Sequence, residues 1–114
     1  MTNLERLSKI NQAERAAQKS ALDSLTRNVR ENAKISDELD LNTKGAVLEA
    51  LNVSIDDFVS DIFDRSSYYE GMTLGQQVRN FLVRRIEDYV LKETEDKDQK
   101  EALFRFMRDI ATVG

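Results

Sequence analysis

Neither histidine nor cysteine occurs among the 114 residues, so any chemistry falls to carboxylates, Lys, Tyr and Ser. That absence removes the commonest general base, thiol nucleophiles, disulfides and the usual zinc sites. Carboxylates remain abundant, with 21 Asp and Glu, and two stretches invite a calcium reading. Asp40, Asn42 and Gly45 occupy positions one, three and six of a calcium loop, but Lys44 stands at five and Leu51 at twelve, where a bidentate Glu is required. A loop begun at Asp96 fails in the same way, because Glu101 falls at six and Met107 at twelve. Asp57, Asp61 and Asp64 recur on one helical face, a row that reads as solvated or as the counterpart of a basic helix. Gly71 and Gly75 flank a helix start, yet no phosphate-loop Lys follows them. No paired carboxylates stand in an evident pocket, so the expectation is a non-catalytic protein without cofactor or metal.

The more informative side chains are those that disagree with their helices. Arg85 falls within an apolar arc of Leu74, Val78, Leu82 and Tyr89, and burying it requires a carboxylate partner, an exit to water or an interface. Phe104 lies off the inner stripe of its helix, and Tyr68 and Tyr69 sit side by side in a segment read as a loop. Asn11 and Gln18 interrupt the apolar seam of the first helix, where a polar pair can fix the register of two associating helices. These six residues are the expected partner-binding set.

The elements that must position them are helical. Proline is absent and glycine occurs four times, so breakers and strand-type turns are scarce. Residues 73–93 form the expected central helix: Leu74, Val78, Leu82, Ile86 and Tyr89 share one face, and Phe81 and Val90 widen it. Thr73 and Gln76 make a capping box at its start. Upstream, residues 3–34 are rich in helix formers, with Leu22, Leu25, Val29 and Ala33 on one side. Residues 35–42 read as a connector with Leu39 and Leu41 tucked inward. A short helix over 43–51 and one capped by Ser54 follow, the latter presenting Ile55, Phe58, Val59, Ile62 and Phe63 on one side. The last helix, reached through a charged hinge at 93–101, faces inward with Leu103, Phe106, Met107 and Ile110. The fold class expected is all-α, a long N-terminal helical arm (residues 1–34) followed by a compact helical domain of about four helices (residues 35–114).

Charge is uneven along the chain. Residues 1–34 carry seven Lys or Arg against four acids, whereas the remainder carries ten against seventeen, giving a net charge of -4. The basic set Arg6, Lys9, Arg15, Lys19, Arg27 and Arg30 therefore supports an alternative, a nucleic-acid-binding regulator. Residues 11–20 bear a likeness to a leucine-zipper basic region, but the basic residues are interspersed with acids and no sustained heptads follow. The segment AVLEALNVSIDDFVSDIF (residues 46–63) is a helix, a tight turn and a second helix. On Leu48, Ala50, Leu51, Val53, Ser54, Asp56 and Phe58 it resembles the paired helices that follow the recognition helix in small phage-repressor-like domains. The resemblance implies a helix-turn-helix-like unit; the two preceding helices and the polar reading segment of such domains are missing. Asp56, Asp57, Asp61 and Asp64 would also meet phosphates with repulsion.

No stretch reaches the roughly 20 apolar residues of a membrane span, and the N-terminus lacks a signal-peptide core. The chain is accordingly expected to be cytoplasmic and without membrane contact. Its expected role is a small interaction or regulatory protein that holds protein partners, its own copy included, through helices.

Overall fold

The computed structural model describes the backbone of residues 3–112 and the side chains of residues 12–112. Every regular element among them is helical: α1 (Asn3–Ile35), α2 (Leu41–Ala50), α3 (Ile55–Asp64), α4 (Ser66–Tyr69), α5 (Leu74–Tyr89) and α6 (Lys97–Thr112), with one 3-10 turn at Leu91–Glu93. The principal extents are 58 × 26 × 22 Å. The 33 residues of α1 would by themselves span about 50 Å at 1.5 Å per residue, so this helix sets the long axis.

Helix starts follow from polar side chains at the right offset. The Asp40 carboxylate accepts from the Thr43 amide at 2.8 Å and opens α2. Ser54 and Asp57 exchange a capping box at α3, Thr73 and Gln76 exchange another at α5, and Asp96 accepts from Gln99 N–H at the start of α6. Such caps satisfy the first-turn amides that have no partner within the helix.

Helix α5 lies at the centre. Val78, Phe81, Leu82 and Ile86 on it are buried, and it packs against α1, α2, α3 and α6. Leu22, Val29 and Ala33 of α1 join the same buried cluster as Val47, Leu51, Phe58, Leu103 and Ile110. A boundary at residue 34 therefore falls inside one continuous core. Upstream of Ala21 the side chains of α1 from Gln12 to Ser20 are exposed, except for the half-buried Gln18.

The last turn of α2 has neither a glycine nor a basic residue of its own to close it. Its carbonyls are met from outside: Arg30 Nη1 donates to Leu48 O, and Arg85 Nε donates to Ala50 O at 3.3 Å. Cations there also oppose the partial negative charge of the helix end.

Four expectations need correcting. Leu41 is 86% exposed instead of tucked inward, because it begins α2 and Leu39 fills the interior there. Phe63 is 83% exposed; α3 ends one residue later, and the chain folds back so that Tyr69 takes the interior position. Tyr89 is 59% exposed at the last residue of α5, and Val90, outside the helix, is buried in its place. The segment read as a loop over 65–72 contains the helical turn α4, and Gly71, at φ +82, reverses the chain after it. That backbone conformation is costly for a residue bearing a Cβ.

Candidate functional site

Two charged helix faces meet between α3 and α5. Asp57, Ser60, Asp61 and Asp64 of α3, with Arg65 just after it, line a cleft of about 260 Å³ together with Arg84, Arg85 and Asp88 of α5. The acidic row of α3 thus lies near the arginines of α5, and among the described residues its one ion pair in the cleft is the local Asp61–Arg65 pair. Asp61 accepts from the Tyr69 hydroxyl and is paired with Arg65 four residues on. Burial, then the bond to Asp61, raises the phenol above its ordinary range. Asp57 is held below the usual carboxylate range, chiefly by the backbone N–H of Ser54, with Arg85 adding a smaller attraction. Asp57, so held, stays ionised at neutral pH and has no proton to donate.

Arg85 is half-buried. Its Nε donates to Ala50 O, and its guanidinium lies 4.4 Å from the centroid of the Tyr89 ring. Part of its polar demand is met within the chain, and the exposed Tyr89 lies against the charge. Tyr69 is the member of the set that needs correcting: at 2% exposure it is a buried residue whose hydroxyl has a partner. Only Tyr68 of that pair reaches the surface, at 42% exposure. It packs edge-on against Tyr69 with ring centroids 5.0 Å apart, bonds Asn80 through its hydroxyl and carries the Arg84 guanidinium on its face. Sequence spacing gave no sign of the Tyr69–Asp61 link; a signal lay in the adjacent aromatics, only one of which a turn can leave outside.

Phe104 is exposed as expected, at 57%. Among the described residues no aromatic pairing joins it to the tyrosines. The remaining members of the expected partner-binding set lie on three different helices: Gln18 on α1, Phe104 on α6 and Tyr68 on α4. Asn11, Arg6 and Lys9 lie outside the described side chains.

The basic residues of α1 divide as well. Arg30 is half-buried and committed to Leu48 O, a correction to its place among phosphate contacts. Arg15 pairs with Asp56 at the start of α3, both exposed. Lys19 and Arg27 are exposed. The helix that was to grip a polyanion thus gives one cation to the fold and sets another against a carboxylate.

No helix among the described residues is long and apolar enough to cross a membrane, and no group of three or more acids among them is arranged to hold a metal ion. Among the described residues, the upstream stretch of α1 around Arg15 is a run of nearly continuous exposure. No protein-family model, curated protein or solved structure matches this chain.

Proposed function

We propose that the chain is a small non-catalytic interaction protein in which a compact group of helices anchors the downstream half of a long N-terminal helix and presents the upstream half to protein partners, a second copy of the chain among them. One observation carries this reading. The helix of α1 continues through Gln12–Ser20 with nearly all of its side chains exposed. In proteins most helical stability comes from packing an apolar face, not from propensity. Ala13, Ala16 and Ala17 there are small enough for another helix to approach closely, and Gln18, which is half-buried, stands where the apolar seam is broken. A polar residue in such a seam sets register between paired helices at some cost in affinity.

Sedimentation equilibrium over a wide concentration range tests the proposal. The wild-type chain is expected to gain mass with concentration, and Ala17→Glu, at an exposed position, is expected to abolish that gain while leaving the circular dichroism unchanged. A wild-type chain that stays monomeric throughout, together with a chain lacking residues 1–17 that captures the same co-purifying proteins as the full chain, would overturn it.

A further inference from the structure

A groove of about 380 Å³ opens between the packed half of α1, the first turns of α5 and the end of α6. Its apolar lining comes from Leu25, Val29, Phe106 and Ile110. Five ionised side chains surround this lining: Arg79, Arg105 and Arg108 against Glu38 and Asp109. Glu38 is taken by Arg105 at 3.0 Å. Arg79 and Arg108 form no ion pair among the described residues, and only Asp109 remains to balance them. The amide side chains of Asn28 and Asn32, on the α1 wall, likewise bond to no other described residue.

We propose that this groove binds a small amphipathic monoanion, a carboxylate carried on an aliphatic chain, independently of the partner surface at the other end of α1. The volume gives the size class: small-molecule sites occupy roughly 300–1,000 Å³, and the groove's volume of about 380 Å³ falls in the lower part of that range. The charge selects the sign and the number. One uncompensated cation faces the opening, which a single carboxylate neutralises and a dianion over-fills. The lining selects the rest, because four apolar side chains gain from excluding water and the donors at the rim fix the polar end.

Gly75 supplies the means to test the donor without disturbing the core. A Cβ at this position would lie 3.2 Å from Nη1 of Arg79, against the far end of a flexible side chain. The substitution therefore shifts the guanidinium and leaves the helix intact, since Ala is the better helix former.

Titration of the full chain with decanoate below its micelle concentration, followed by calorimetry and by amide NMR, is the experiment. Saturable binding of one decanoate per chain is expected, with the largest shifts at Val29, Phe106 and Ile110. Arg79→Gln and Arg108→Gln are each expected to weaken binding about tenfold, the usual size of a charge-assisted hydrogen bond, and Gly75→Ala to weaken it several-fold with unchanged dichroism. 1-Decanol, with the same tail and no charge, should bind at least about tenfold more weakly. Absence of saturable decanoate binding, equal binding of decanol, or unchanged affinity in both arginine variants would each overturn the proposal. Loss of decanoate binding with self-association retained leaves the interaction reading standing, and the reverse result leaves the groove standing.

Discussion

The two halves of α1 are one unbroken helix under two different constraints. From Leu22 to Ala33 its inward residues sit at 1%, 7% and 0% exposure within the common core, whereas from Gln12 to Ser20 every residue but the half-buried Gln18 is exposed and Arg15 reaches Asp56 of α3. Local propensity does not favour the packed half: residues 12–20 hold three Ala with Gln, Glu, Arg and Lys, whereas residues 22–33 include Asp, Ser, Thr, Val and two Asn. Burial of apolar area is what separates them, and the downstream half derives its stability from α5 and α2, not from its own backbone.

Substitutions of matched type on the two halves give the sharpest contrast. Leu22→Ala is expected to cost about 3 kcal/mol in denaturant unfolding, within the range of roughly 2–5 found for buried leucines. A cost under about 1 kcal/mol would mean that the core does not extend to this turn. Next in size is a pair of identical changes: Ala33→Leu forces extra methyl groups into a filled site and should cost about 2 kcal/mol, while Ala17→Leu should change the stability of the monomer by no more than about 0.5 kcal/mol. Equal effects at 33 and 17 would erase the distinction.

The upstream half touches the start of α3, where Asp56 meets Arg15. Removing the cap there with Ser54→Ala should cost about 1 kcal/mol by thermal unfolding. The same cap sets an acid limb. The carboxyl of Asp57 is depressed below its ordinary value of 3.8 by hydrogen bonds from Ser54, so its contribution is complete above that value and is lost as pH falls through the lowered one. Asp57→Asn should flatten this part of the stability profile, and an unchanged acid limb would deny the cap its role. The smallest effect belongs to Arg15→Ala. Its ion pair is exposed on both sides and should contribute less than about 0.5 kcal/mol, shrinking further with salt. Amide hydrogen exchange reads the whole contrast at once, with residues 22–33 protected nearly to the global limit and residues 12–19 far less.

Much of this architecture was legible because it is written locally. The capping boxes at Ser54 and Thr73 need residues three apart, and the buried face of α5 needs only a helical period. Periodicity does not say what stands opposite a face, however, and this accounts for Phe63 and Tyr89. Both lie at the last turns of their helices, where the chain leaves the core and a later residue, Tyr69 or Val90, occupies the space. Arg85 was recognised as anomalous from its place in an apolar arc. Its resolution depended on a carbonyl 35 residues away, which no spacing rule within α5 can supply. Periodicity places the acidic row of α3 on one face, but the bond from Tyr69 to Asp61 and the nearness of the α5 arginines depend on how the chain folds back. For the groove, the apolar residues of α1 and α6 were each seen as inward, and the gap left between them is a property of the assembled helices alone.

The guanidinium groups that close α2 come from Arg30 and Arg85, 18 and 35 residues distant from the carbonyls they bind. One belongs to a helix made before α2 in chain order and the other to a helix made after it. The end of α2 is consequently a coincidence detector: an isotope label on the Leu48 and Ala50 carbonyls reaches its native frequency only when both flanking helices have docked, and so times the arrival of the later of the two.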